Sequence, residues 1–280
     1  MSEPDCDAAV RRYYSDPGVV RGYAAVGSQG LVPFEAAMIR RAFAPGQHVL
    51  DVGCGGGREA IPMATAGIQV TAMDFILPMV GAAVAYADTL QVRLRALAAD
   101  VTRLPFRDRT FDGATMVNQI IAFVPTRAER IAALRAIWRV LRPGGMLVMT
   151  THNRRCQWKF RLYFACANRW RRVARRLGHL HGLGDYDRWS VRDKSGHPIS
   201  GQRLFLHMYD LNEVLGDLRE AGFEVVDARS RAEFEADQLD LRQRRRDYLL
   251  GFIARRPGDH DVRTRVVSVS EGVGVRREER

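Results

Sequence analysis

From residue 47 to 151, short runs of aliphatic and β-branched residues alternate with longer stretches in which apolar positions recur three and four apart. That alternation of strand-like and helix-like periods predicts a parallel sheet joined by crossover helices. Residues 48–52, 69–73, 92–98, 113–117 and 146–151 are the expected strands, with helices expected at 58–66, 77–90 and 127–141. In the last helix, Ile131, Leu134, Ile137, Trp138 and Leu141 share one apolar face. Arg142-Pro-Gly-Gly145 then stops it, because proline cannot continue the hydrogen-bond ladder and glycine accepts positive φ. A helix over 211–221, ended by Gly222, and closing strands at 223–228 and 248–254 complete the pattern. The expected fold is α/β: a doubly wound, mostly parallel sheet of seven strands with helices on both faces.

The flanks divide the chain further. An N-terminal helical cap is expected over residues 1–46, with helices at 7–14 and 33–43 joined by the glycine-containing segment 16–30. The main domain then runs over 47–256, with an insertion after the fifth strand at about 153–205: a helix over 153–177, then a polar loop over 178–201. Residues 257–280 lack hydrophobic periodicity and are expected to be a disordered tail.

Composition narrows the class without deciding it. No run of 18 or more uncharged apolar residues occurs, and the first residues are acidic rather than a basic leader, so neither secretion nor membrane spanning is expected. Cys6, Cys54, Cys156 and Cys166 are scattered, which predicts neither a disulfide framework nor a metal site and fits a reducing cytoplasm. The net charge is +11, carried almost wholly by arginine, since Lys159 and Lys194 are the only lysines. Such a balance suits nucleic acid, an acidic membrane surface or an anionic substrate equally.

The first strand runs straight into Asp51-Val-Gly-Cys-Gly-Gly-Gly57, after which Arg58 opens a helix. A turn without side chains between a strand and a helix N-terminus, at the carboxyl edge of a parallel sheet, lets a ligand approach the backbone. Its spacing admits a dinucleotide, because Gly55-x-Gly57-x-x-Ala60 meets the relaxed dinucleotide fingerprint. Asp74 ends the second strand 23 positions after Asp51, where a carboxylate can accept from both hydroxyls of a ribose; this fits NAD as well. Asp100 ends the third strand and adds a second carboxylate, suited to an adenine amino group and of less use to NAD. Arg109-Thr-Phe-Asp-Gly113 leads the fourth strand, which ends at Asn118, and Trp138 to Val148 leads the fifth.

In this order the motifs resemble those of class I S-adenosylmethionine-dependent methyltransferases, the broad Rossmann-like group that includes ubiquinone and menaquinone methyltransferases. The resemblance covers residues 49–151, with a weaker match at 206–226. It implies S-adenosylmethionine as cofactor. Asp51, Gly53, Gly55 and Gly57 would form the turn around its methionine portion, Asp74 would hold the ribose, and Phe75 or Ile76 would lie beside the adenine. Asp100 and Val101 would contact the adenine edge, Asn118 would sit under the sulfonium, and Tyr23 would close over the site. No metal is implied.

Methyl transfer from a sulfonium asks for alignment and water exclusion, and at most one base for the acceptor's proton. His152, just past the fifth strand, ranks first for that role, followed by His207 and Tyr209; His181 and His197 fall in the polar loop. Residues 153–184 carry nine basic residues and no acid, and Tyr163, Cys166, Ala167, Trp170, Val173 and Leu177 share one face of a basic amphipathic helix. Three readings of that helix stay open: a lid packed on the core, a contact with an anionic membrane by a peripheral protein, and a contact with RNA phosphates. The leading expectation is a methyltransferase acting on a small-molecule or lipid-like acceptor. A tRNA or protein methyltransferase, a non-catalytic cofactor-binding regulator and, more distantly, a nicotinamide oxidoreductase remain alternatives.

Overall fold

The computed structural model describes residues 6–177, 183–190 and 204–259. The expected tail beyond 259, most of the polar loop, and His181 and His197 lie outside the described residues. Three helices open the chain: α1 (Cys6–Tyr14), α2 (Pro17–Gly27) and α3 (Pro33–Ala42). Then come β1 (His48–Val52), α4 (Ala60–Thr65), β2 (Gln69–Asp74), α5 (Leu77–Thr89), β3 (Arg95–Ala98), β4 (Phe111–Met116), α6 (Arg127–Val140) and β5 (Leu141–His152). The insertion contributes α7 (Trp158–Arg176), β6 (Asp187–Ser190) and β7 (Leu204–His207). The chain closes with α8 (Leu211–Glu220), β8 (Glu224–Ser230), α9 (Arg231–Ala236), α10 (Leu241–Arg246) and β9 (Leu249–Arg255).

Seven strands form the main sheet in the order β3-β2-β1-β4-β5-β9-β8. β1 to β5 pair in parallel, and β9 lies antiparallel to both β5 and β8. Alternate side chains feed two cores. Leu50, Val52, Ala114, Met116, Leu147 and Phe252 meet α6 and α8 through Leu134, Ile137, Val214 and Leu218. Val49, Ala72, Val117, Val148 and Ile253 meet α3 and α4 through Phe34, Met38 and Met63 on the other face. The period of two in each strand thus becomes a doubly wound sheet, as expected. The strand order reverses between β1 and β4, so their carboxyl ends diverge and leave a crevice there.

Several boundaries differ from expectation for local reasons. Segment 16–30 is mostly helix: Asp16 accepts hydrogen bonds from the Gly18 and Val19 amides and Pro17 occupies the first turn, a start signal masked by the surrounding glycines. α4 begins at Ala60 rather than at Arg58, because the glycine turn runs on to Gly57, where φ is +87°. β5 begins at Leu141, so Pro143 and the two glycines form an irregular strand entry rather than a loop. The insertion helix starts at Trp158, since Asn153 accepts from the Arg155 amide and donates to the Arg244 and Asp247 carbonyls, holding a turn. The polar loop contains β6, which pairs with β7 as a separate two-stranded sheet.

Candidate functional site

A cavity of about 370 Å³ opens at the crevice between β1 and β4. Its floor is the glycine turn. Gly53 has φ +77° and a Cβ there would lie 2.6 Å from the Ile120 side chain, so only glycine fits. The Gly53 and Cys54 amides both donate to the Met73 carbonyl, at 2.8 and 2.9 Å, which ties the turn to the end of β2. Asp74 ends that strand and fixes the rest: Oδ2 accepts from the Gly55 amide and Oδ1 from the Ile76 amide, each at 2.9 Å. One lone pair on each oxygen is thereby used and the carboxylate still borders the cavity. Asp100 accepts through Oδ1 from the amide and the hydroxyl of Thr102, while Oδ2 has only Arg103 at 3.8 Å. At the end of β4, Asn118 and Gln119 are consecutive non-glycine residues in the left-handed region, with φ +57° and +60°. Backbone strain of this kind persists where the surroundings hold it, commonly beside a ligand.

The roof is built by the N-terminal helices. Tyr14 on α1 hydrogen-bonds Tyr23 on α2 and packs edge-on against it and against Phe123, with ring centroids 5.6 Å apart in both pairs. Burial, reinforced by the Tyr23 phenol, raises the Tyr14 pKa well above its usual value. α2 touches the glycine turn backbone to backbone: a Cβ on Gly27 would lie 2.5 Å from the Gly56 carbonyl oxygen, and one on Gly56 would overlap the Tyr23 carbonyl. Gly56 therefore serves helix docking. Gly56→Ala is expected to lift α2 from the turn and raise the amide exchange rate of residues 17–27 at least about tenfold, read by hydrogen–deuterium exchange.

Tyr23, Gly53, Gly55, Asp74, Phe75, Asp100, Val101 and Asn118 all line this one cavity. Asp51 and Gly57 do not. Asp51 is buried on the α3 side, where Oδ1 accepts from the Thr115 hydroxyl at 2.5 Å and Oδ2 has no hydrogen-bond partner. Burial pushes its pKa up to about 6, against the Thr115 hydrogen bond and the charge of Arg58 and with the charges of Asp74 and Glu35. Gly57 turns the chain beneath Ile61. Arg11 lies 3.4 Å above the Phe75 ring, so α1 covers one face of that residue.

The three expected bases lie elsewhere. His152 is buried against the Tyr248 ring, 4.8 Å away between centroids. His207 is held between two carboxylates, Asp187 at 2.6 Å and Glu213 at 2.8 Å, and Glu213 also pairs with Arg154. Burial opposes ionisation of Glu213, but His207 and Arg154 hold its pKa down, to about 2. Tyr209 is 1% exposed, inside the core under α6 and α8. None of the three borders the cavity, so this geometry gives no support to a base role for them. β5 carries His152 past the crevice, β7 turns His207 into a polar network with Asp187, Glu213 and Arg154, and Tyr209 packs in the core.

The sequence reading passed over Tyr14, Glu59, Phe123 and the Glu35–Arg58 pair. Arg58 donates to Glu35 at 2.6 and 2.8 Å and also pairs with Glu59, fastening α3 to the end of the glycine turn. No motif spacing announces a contact between residues 23 positions apart in different elements.

Electrostatics separates the ligand classes that spacing left open. Asp7, Glu59, Asp74, Asp100 and Glu129 border the cavity against Arg58 and Arg103, and Arg58 is already neutralised by its carboxylates. An acidic crevice attracts a cationic cofactor and repels the pyrophosphate of a dinucleotide. Among the described residues no cluster of His, Cys, Asp and Glu is arranged to hold a metal.

Residues 49–145 match the family described as methyltransferase domain. Over those residues, which run from β1 to the start of β5, the chain is similar to a methyltransferase domain. O-methyltransferase resE of Aspergillus sclerotiorum is 37% identical over 107 residues, covering 37% of this chain and 39% of that protein. Demethylmenaquinone methyltransferase of Mycolicibacterium paratuberculosis is 38% identical over 105 residues, covering 38% and 41%. The chain thus spans about two fifths of the length of the curated relatives it matches. The solved Burkholderia thailandensis 1,6-didemethyltoxoflavin-N1-methyltransferase, with its toxoflavin precursor and S-adenosylhomocysteine bound, superimposes with a TM-score of 0.56 at 20% identity over 92% of both chains. That match is one of fold.

The lining of the cavity suits S-adenosylmethionine on grounds independent of these likenesses. The turn has no side chain between the backbone and the cavity at Gly53 and Gly55, a carboxylate ends β2 and another follows β3, and the lining is acidic, which suits a cationic ligand.

Proposed function

We propose that this protein transfers a methyl group from S-adenosylmethionine to a small-molecule acceptor. The observation that carries the reading is the acidic cavity at the β1/β4 crevice, bordered by the ends of β1, β2, β3 and β4 and roofed by α1 and α2. When bound there, S-adenosylmethionine supplies an electrophilic methyl on a sulfonium. Asp74 would accept from the ribose hydroxyls and Asp100 from the adenine amino group, and Tyr14, Tyr23 and Phe123 would exclude water. The lining contains no histidine, lysine or free nucleophile besides the buried Cys54, in keeping with a displacement that needs alignment rather than an enzyme nucleophile.

The named relatives include an O-methyltransferase and a demethylmenaquinone methyltransferase, which favours a small or lipid-like acceptor over tRNA or protein. Calorimetric titration with S-adenosylmethionine and with NAD tests the cofactor: micromolar binding of the first and none of the second is expected, and the reverse would overturn the reading. Binding of S-adenosylmethionine without its conversion to S-adenosylhomocysteine in the presence of any phenol, quinol or amine tested would instead mark a cofactor-binding regulator.

Asp51 gives the cofactor site a pH dependence. Its raised pKa means that the folded chain prefers the neutral acid, so its stabilising contribution is complete below about 3.8 and lost as pH rises through about 6. A cationic ligand beyond the turn favours the ionised form, so binding tightens over the same interval. S-adenosylmethionine affinity is expected to fall by up to about tenfold per pH unit below that pKa, and Asp51→Asn to flatten the profile, both measured by calorimetry from pH 5 to pH 8.

A further inference from the structure

The amphipathic helix α7 faces the opposite way from a lid. Its inner side is formed by Phe164, Asn168, Arg171 and Ala174, all buried. Arg171 spends its guanidinium on the Gly184 and Asp187 carbonyls, at 2.9 and 2.8 Å, so a polar side chain anchors the helix where a lid packed on the core would use apolar ones. The apolar face is turned outward: Trp158 is 67% exposed, Leu162 56%, Trp170 61% and Leu177 69%, with Tyr163 and Val173 beside them. A helix that packs polar groups inward and shows two tryptophans to solvent is not explained by packing of the domain.

The charge on this face is as lopsided as its polarity. α7 carries no acidic residue, and across an open groove it faces α10, whose sequence is Leu-Arg-Gln-Arg-Arg-Arg. Arg161 and Arg169 from α7 and Arg245 from α10 line the groove, and none of them makes an ion pair among the described residues. Leu239 and Leu241, each 69% exposed, continue the apolar rim past α10. β5 ends at His152 just before this helix, so the surface lies at the carboxyl edge of the sheet, where the cofactor cavity also opens.

We propose that α7 and the rim of α10 form a docking surface for an anionic lipid membrane, the tryptophans and leucines entering the headgroup boundary and the free arginines meeting lipid phosphates. Arginines beside an apolar, aromatic stripe match both layers of such an interface. RNA would use the arginines and could stack on the tryptophans, yet it gives no burial to Leu162, Val173, Leu177, Leu239 and Leu241. The proposal does not rest on methyl transfer, because docking is read without any cofactor.

The test is co-sedimentation of the full chain with vesicles of phosphatidylcholine alone and of phosphatidylcholine mixed with phosphatidylglycerol. Binding is expected to be at least about tenfold tighter to the mixed vesicles, weakened by salt, and accompanied by a blue shift of tryptophan emission. Trp158→Ala with Trp170→Ala is expected to lose the binding at least about tenfold, as is Arg161→Glu with Arg169→Glu, each with an unchanged unfolding temperature because all four side chains are exposed. Equal sedimentation with neutral vesicles, or variants that bind like the parent chain, would overturn the proposal. So would retention of transfer RNA without vesicle binding, or sedimentation velocity showing a dimer that the tryptophan variant dissociates.

Discussion

Asp74→Asn is expected to weaken S-adenosylmethionine binding by about 100-fold, the loss of two charge-assisted hydrogen bonds at roughly 1.5 kcal/mol each. The carboxylate is built for two tasks at once. Toward the protein it accepts from the Gly55 and Ile76 amides at 2.9 Å, clamping the glycine turn to the start of α5. On its other side it borders the cavity. Asparagine retains one acceptor oxygen, but its amide would meet an amide N–H on one side, donor against donor. The negative charge, one of five bordering the cavity, is also lost. Thermal unfolding of the free chain separates binding from folding: a drop of a few degrees with a 100-fold loss in calorimetry supports the assignment. An affinity within threefold of the parent chain would remove Asp74 from the cofactor site.

The glycine turn and the strand-end aspartates were legible because their spacing is local. A turn between a strand and a helix needs glycine at fixed offsets, and ligands in open α/β sheets bind outside the carboxyl ends of the strands, where residues that end a strand beside the crevice can border them. Asp74, Asp100 and Asn118 each end a strand or follow it directly, and each borders the cavity. Asp51 shows where that logic stops. The period of two turns its side chain to the α3 face, toward Thr115 and Arg58, so it sits behind the turn rather than within it.

The surroundings of the histidines were illegible for a different reason. His152 was singled out by its place after the fifth strand and His207 by its place after the insertion, but position along the chain does not say which way a side chain faces or who its neighbours are. His207 was resolved only by Asp187, 20 residues earlier on β6, a strand hidden in a stretch of polar residues. The periodicity of α7 was legible in the sequence, whereas its orientation stayed open between a lid and an outward-facing contact. An apolar stripe predicts burial only when the other face has no better partner, and Arg171 found two carbonyls that hold it inward. The roof was likewise invisible, since the fit of Gly27 to Gly56 is a contact between backbones and leaves no trace in hydrophobic pattern.

Glu35→Ala is expected to destabilise the chain by about 3 kcal/mol, because removing one partner of a buried ion pair strands the other charge. Glu35 and Arg58 side chains are 6% and 10% exposed. Burial alone would lower the Arg58 pKa. The hydrogen bond from Glu35 and the charges of Glu59, Glu35 and Asp51 outweigh it and raise the value instead. Without Glu35, Arg58 keeps Glu59 alone, and α3 loses its polar tie to the end of the glycine turn. In a domain of this size the loss corresponds to a fall in unfolding temperature of roughly 6–12 °C. A double variant, Glu35→Met with Arg58→Met, distinguishes a stranded charge from lost packing. It removes both charges and fills the space, so it is expected to recover at least half of the stability lost by Glu35→Ala. If the double variant is less stable than the single one, the pair contributes more by its hydrogen bonds than its desolvation costs, and the cofactor turn depends on that ion pair for its position.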